Sequence, residues 1–166
     1  GMGRIGRALA HRARAFGLEI HYHNRGRLTP ELEQGAIYHG DGEALLRVSD
    51  FLSIHCEMTP QTAGFLNAER IEMMPQGAVV VNTARGGIID DTAFMAALKS
   101  GRIAAAGLDV FAGEPKLNPG YRDLDNAFLT PHIGSATVDT RNAMGFRALD
   151  NIDGLLNGGA APDALG

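Results

Sequence analysis

The chain has 166 residues, 45% of them apolar and 20% charged, and a formal net charge of −4. That length supports one sizeable core. With no long basic run, the charge balance argues against a nucleic acid or an anionic membrane as partner and favours small metabolites. A single cysteine, Cys56, excludes an intrachain disulfide and points to a reducing, cytoplasmic compartment, and no stretch is apolar and long enough to span a bilayer.

The opening "GMGRIGRALA" fits the pattern G-x-G-x-x-G with Gly1, Gly3 and Gly6, although no strand precedes it in this sequence. Ile5, Leu9, Ala13 and Phe16 then recur at helical spacing, with Gly17 placed as a C-terminal cap. "LEIHYH" reads as a short strand ended by "NRGRLTP", and further strands are expected at "AIYH", "FLSIHC", "GAVVVNTA", "AAAGLDVF" and "AFLTPH". Gly77 and Gly86-Gly87 bracket "AVVVNTA", whose apolar run suits a central parallel strand buried on both faces. Asp90 or Asp91 can cap a helix that buries Phe94, Ala97 and Leu98 and stops at Ser100-Gly101. From Thr137 a longer helix is expected to turn Leu149, Ile152 and Leu156 inward and to end at Gly158-Gly159. This rhythm predicts an α/β fold: a doubly wound, mostly parallel sheet whose first strand is missing from the chain. Residues 1–152 form the dinucleotide-binding domain in this reading, and residues 153–166 a C-terminal segment.

In such a fingerprint the first glycine makes a tight turn, the second admits the pyrophosphate and the third permits close helix packing. The phosphates then sit at the positive end of the following helix. Where an NAD-specific site has a carboxylate for the ribose hydroxyls, this chain has Asn24, followed by Arg25 and Arg27. Two guanidiniums and no repelling carboxylate suit a 2′-phosphate, hence a preference for NADP with NAD possible; solvated loop arginines are the bland alternative.

Ligands of doubly wound sheets bind beyond the carboxyl ends of the strands. The strand ends carry His55 and Cys56, Thr83 and Arg85, Asp109 and Glu114, and His132. A guanidinium can fork onto a carboxylate or polarise a ketone, and an imidazolium beside a carboxylate can protonate a developing alkoxide. Each residue also has a structural reading, Arg85 as a surface residue, Glu114 as a turn carboxylate and His132 as a loop histidine. Together at one sheet edge they make a reaction centre suited to carbonyl reduction. His21 and His23 share a strand face, but the sequence supplies no third ligand, so no metal is expected.

"GMGRIGRALA", "NTARGGIIDD", "AAGLDVFAGEP" and "LTPHIGSAT" resemble, in order and spacing, the D-isomer-specific 2-hydroxyacid dehydrogenases. The wording of "GLDVFAGEPKLNPGY" and "NAFLTPHIGSAT" is most similar to their glyoxylate and hydroxypyruvate reductase branch. The resemblance implies that Arg85 binds substrate, His132 is the proton donor and Glu114 is its paired carboxylate. It further implies that Asp109 and Gly134 belong to the cofactor site, with Asp109 near the nicotinamide and Thr83 and Ala84 along its ribose. Arg4 and Ile5 would offer backbone to the pyrophosphate, and Cys56 would lie near the adenosine. A homodimer joined through the cofactor domain is implied as well. "HCEMTPQTAG" departs from the family at Glu57 and Met58, where many members have a proline or serine and a leucine. The family's N-terminal substrate segment is absent, whereas "GLLNGGAAPDALG" resembles its closing segment, so the chain alone is expected to turn over poorly. A nucleotide-sensing binding protein, similar to corepressor relatives, is the alternative function.

Overall fold

The computed structural model describes residues 1–159 and 161–164, so Ala160, Leu165 and Gly166 of the expected closing segment lie outside the described residues. Two compact units follow one another along the chain, the first spanning Gly1–Pro131 and the second beginning at His132. The first unit runs α1 (Arg4–Ala15), β1 (His21–Tyr22), α2 (Pro30–Glu33), β2 (Ile37–Tyr38), α3 (Gly42–Leu46), β3 (Phe51–Ile54), α4 (Ala68–Met73), β4 (Ala78–Asn82), α5 (Asp91–Ser100), β5 (Ile103–Leu108) and β6 (Ala127–Leu129). Every strand pair is parallel: β1 lies on β2, and β3, β4, β5 and β6 form a second sheet in that order. Strands therefore form wherever a short apolar run precedes a helix, and the crossover helices dictate their parallel sense.

The four-stranded sheet carries the larger core. Leu52 pairs across from Val80, and both join Ile54, Ile71, Phe94, Leu98, Ile103, Leu108 and Tyr121 in one apolar cluster. Burying a side chain such as Phe94 fully is worth about 1.5–3 kcal/mol. Along β4, Ala78, Val80 and Asn82 are buried while Val79 and Val81 are only partly covered, so one face is sealed more completely than the other. The cap signals act locally, as expected. The Asp90 carboxylate accepts from the Ala93 amide at 3.0 Å to start α5, and Gly101 ends it at φ +74°. Gly17, at φ +78°, closes α1: its amide donates to the Arg14 carbonyl at 2.9 Å and Leu18 donates to Ala13 at 3.3 Å, the double bond of a Schellman turn.

Tertiary structure decides the faces of two helices, and at the second it corrects an expectation. α1 does not bury its large apolar residues; Gly6 and Ala10 are its buried positions, and Ile5 and Phe16 are 71% and 85% exposed. Close packing of the helix on the glycine loop requires small residues on that face, so the bulky stripe is turned to the outside. In the second unit, α6 (Val138–Leu156) starts on Thr137, whose hydroxyl accepts from the Thr140 amide, but Leu149, Ile152 and Leu156 are exposed rather than inward. A unit built on one long helix offers no second layer against which an apolar stripe can be buried. α6 also runs unbroken across residue 152.

Gly1 stands between the two sheets. Its amino nitrogen donates to the carbonyl of His23, just past β1, at 3.0 Å, and its Cα faces the backbone of His55 and Cys56, just past β3. β1 and β3 each pair on one side only, and Gly1 marks the interval between them where a doubly wound sheet places its first strand.

Candidate cofactor and active site

The glycine loop is shaped as a cradle. A Cβ on Gly1 would lie 2.6 Å from backbone atoms of His55 and Cys56, and one on Gly6 would lie 2.3 Å from the carbonyl oxygen of Gly1. Only glycine permits both approaches. Gly3 precedes α1 in extended backbone, provides no side-chain cap, and would have nothing within 4 Å of an added Cβ. The first turn of α1, which begins with Arg4 and Ile5, has neither a side-chain cap nor an acidic side chain. An anionic pyrophosphate fits this arrangement.

Asn24 anchors the loop from the end of β1: its Oδ1 accepts from the Met2 amide at 2.7 Å, and its carbonyl accepts from the Tyr38 hydroxyl at 3.3 Å. The two following arginines part company. Both are exposed, but Arg27 forks onto Glu33, with Nε and Nη2 at 2.8 and 3.1 Å from its two carboxylate oxygens. At the end of β3, Nε2 of His55 meets the Ser53 hydroxyl at 2.8 Å, and burial lowers the His55 pKa below its ordinary value. Cys56, half-buried, places its backbone beside Gly1.

Asn82 ends β4 and folds the chain beyond it. Its Nδ2 donates to the Arg85 carbonyl at 3.0 Å and its Oδ1 accepts from the Ala84 amide at 3.0 Å. This buried amide turns Thr83 and Arg85 outward, where both are exposed; Arg85 Nη1 donates to the Ala84 carbonyl at 2.6 Å. Gly86 follows with its Cα hard against the next strand-end loop, a Cβ there lying 1.9 Å from the Phe111 carbonyl carbon. Glu114 belongs to that loop and its Oε1 accepts from the Phe111 amide at 2.7 Å. Arg85 and Glu114 are thereby carried on two loops that touch through backbone. Asp109, buried at the end of β5, accepts from the Thr130 hydroxyl at 2.6 Å. His132 and Gly134 are in the second unit, before α6; His132 is exposed and takes a positive φ of 55°.

Asn82, Thr130 and Glu33 were not singled out by sequence reasoning, and Gly86 was read only as the end of the strand before it. A polar residue closing an apolar strand signals Asn82, and the doubled glycine after Arg85 signals a close approach. His21 on β1 bonds Glu19 at 2.6 Å and His39 at 2.9 Å, while Nδ1 of His23, just past the strand, lies 2.8 Å from the His39 carbonyl. Among the described residues, no group of three or more metal-ligating side chains is assembled, and no helix is long and apolar enough to cross a membrane. A shallow hollow of about 250 Å³ between α1 and α2, lined by Met2, Arg7, His11, Arg14 and Leu32 among others, contains none of the strand-end residues.

The family model described as "D-isomer specific 2-hydroxyacid dehydrogenase, NAD binding domain" matches residues 1–134. The chain belongs to this dehydrogenase family. Among its curated relatives, the glycerate dehydrogenase of Hyphomicrobium methylovorum is 47% identical over 99% of this chain and 52% of its own length. The glyoxylate reductase of Thermococcus litoralis is 43% identical over 99% of this chain and 50% of its own length. The dehydrogenase chain therefore spans about half the length of the curated relatives it matches. Among solved structures, an NADPH-dependent glyoxylate/hydroxypyruvate reductase of Sinorhizobium meliloti, in complex with NADP and malonate, is 36% identical with a TM-score of 0.92, over 98% of this chain and 50% of that one. The 2-hydroxyacid dehydrogenase fold thus accounts for the parallel four-stranded sheet and for the glycine cradle at its carboxyl edge.

Proposed function

We propose that the protein carrying this chain is an NAD(P)-dependent D-2-hydroxyacid dehydrogenase that reduces a short 2-keto acid, glyoxylate or hydroxypyruvate, and prefers NADPH. The observation that carries this reading is the Arg85 turn, whose backbone is held by buried Asn82 and whose guanidinium is exposed, at the same sheet edge as the glycine cradle. Arg85 has donors in a planar fork beyond the one it spends on Ala84, enough to grip a carboxylate in two places. A dinucleotide held at the glycine cradle would supply the hydride for the keto carbon. His132 gives a proton to the carbonyl oxygen as its negative charge develops, and Glu114 favours the imidazolium, roles that rest on the family resemblance. Asn24 in place of a carboxylate, exposed Arg25, and the NADP held by the Sinorhizobium relative support the preference for NADPH.

The test is an assay of the full-length protein with glyoxylate and hydroxypyruvate against NADPH and NADH, followed by loss of absorbance. Turnover with both keto acids and a higher kcat/KM for NADPH are expected. Arg85→Ala should raise KM for the keto acid and lower kcat, and His132→Ala should lower kcat with little change in dinucleotide affinity. Turnover unaltered by either substitution removes these residues from the reaction. Dimerisation through the cofactor domain belongs to the same reading and is checked by sedimentation of the full-length protein.

A further inference from the structure

Glu33 is an acid in a place where acids are rare, only 5% exposed at the last residue of α2. Its Oε1 accepts from the Tyr22 hydroxyl at 2.5 Å and from Arg27 Nε at 2.8 Å, and its Oε2 accepts from Arg27 Nη2 at 3.1 Å. The Tyr22 oxygen accepts in turn from the Leu28 amide at 3.0 Å. These four bonds fasten both ends of the segment that follows β1: Tyr22 on the strand, and Arg27 with Leu28 on the far side. Asn24, inside the segment, holds the Met2 amide of the glycine loop. Arg25 and Arg27 are both exposed cations of the segment, but Arg27 is paired with Glu33, whereas the Arg25 side chain has no hydrogen-bond or ion-pair partner among the described residues.

We propose that Glu33 is a positioning residue for dinucleotide selection: by latching Arg27 and Tyr22 it fixes the turn that presents Arg25, which alone takes the 2′-phosphate. The inference rests on the NADPH-preferring reading above and concerns how this chain achieves it. Two features separate a latch from a second phosphate ligand. Arg27 meets Glu33 through a bidentate fork, which fixes the guanidinium plane as well as its place. A phosphate approaching Arg27 would also meet the Glu33 carboxylate directly behind it, so the pair offers little net attraction. Arg25, without a counter-charge, offers its full charge.

The two roles predict opposite signs for removal of the Glu33 charge. If Arg27 bound phosphate directly, Glu33→Gln would free it and tighten the binding of a 2′-phosphorylated nucleotide; as a latch, the same change loosens the turn and weakens binding. Dissociation constants of NADPH, NADH and adenosine 2′,5′-bisphosphate are measured on the full-length protein by nucleotide fluorescence and competition. Arg25→Ala is expected to weaken NADPH and the bisphosphate at least about 10-fold and to leave NADH unchanged, the loss of a charge-assisted fork. Glu33→Gln and Arg27→Ala are each expected to weaken both phosphorylated nucleotides about 3–10-fold, with the double variant no worse than either single one, as for two members of one coupled pair. Tyr22→Phe, which keeps the ring and removes one arm of the latch, gives a milder loss in the same direction and serves if Glu33→Gln does not fold.

Tighter or unchanged binding in Glu33→Gln, additive losses in the double variant, or equal losses for NADH and NADPH would each overturn the latch. A wild-type protein that binds NADH as tightly as NADPH, with Arg25→Ala silent, would instead remove the underlying preference. The two failures are therefore distinct.

Discussion

Gly86 and Phe111 meet backbone to backbone, so closely that a Cβ on the glycine would sit 1.9 Å from the Phe111 carbonyl carbon. The contact joins the turn bearing Arg85 to the loop in which Glu114 caps the Phe111 amide. Gly86→Ala has to push these loops apart, and overpacking of this kind costs about 1–3 kcal/mol. A lower melting temperature is expected together with a rise of at least about 10-fold in KM for the keto acid. Steady-state kinetics and a thermal melt of the full-length protein check both. Normal KM in a protein that melts early would mean that the contact serves stability alone.

Asn82 is buried and uses both ends of its side chain on the turn, one on the Ala84 amide and one on the Arg85 carbonyl. Asn82→Ala leaves these two groups without their partner, a loss of about 1–3 kcal/mol. Asn82→Asp retains the acceptor for Ala84 but loses the donor and buries a charge, so it should be the more destabilised of the two. Urea unfolding midpoints give the order directly.

The glycine cradle separates fit to the fold from fit to the ligand. At Gly6 an added Cβ meets the Gly1 carbonyl at 2.3 Å, so Gly6→Ala is expected to lower both melting temperature and dinucleotide affinity. At Gly3 nothing of the protein lies within 4 Å. Gly3→Ala should leave the melt almost unchanged and weaken dinucleotide binding about 10-fold, because the methyl group occupies the path of the pyrophosphate. Calorimetry and nucleotide titration of the two variants, compared side by side, decide the matter; equal affinities in Gly3→Ala and wild type would place the phosphates elsewhere.

Acid stability has a definite sign at Glu33. Arg27 first, and then Tyr22, hold the Glu33 carboxyl below its ordinary value of 4.5. A carboxylate with a depressed folded pKa contributes its full stabilisation above the unfolded value, and that contribution disappears as pH falls through the folded one. Unfolding midpoints taken from about pH 6 down to about pH 3 should fall more steeply for wild type than for Glu33→Gln. Parallel slopes would show that the pair has no linkage to folding.

The order of elements and their caps were legible in the sequence because each depends on neighbours three or four positions away, and the parallel pairing followed from the alternation of strands with crossover helices. Asp90 reaches Ala93, Thr137 reaches Thr140, and Gly17 and Gly101 take the left-handed turns that end their helices. The glycine fingerprint was legible for the same reason. The partners of its flanking residues were not. Composition makes Arg25 and Arg27 equivalent, and only the fold places buried Glu33 behind one of them. Helical spacing likewise identified a stripe on α1 and another on α6, but the inward turn expected of the α6 stripe failed because spacing does not show what covers it.

Local chemistry therefore determined that this chain forms alternating helices and parallel strands around a glycine loop, with Arg85, Glu114 and His132 in loops beyond the strands. Tertiary structure decided which groups are occupied and which are presented. Contacts such as Gly86 with Phe111, or Asp109 with Thr130, join residues more than twenty positions apart. Sequence spacing carries no information on such distances; they are set when the strands stack in order and the core between them is packed.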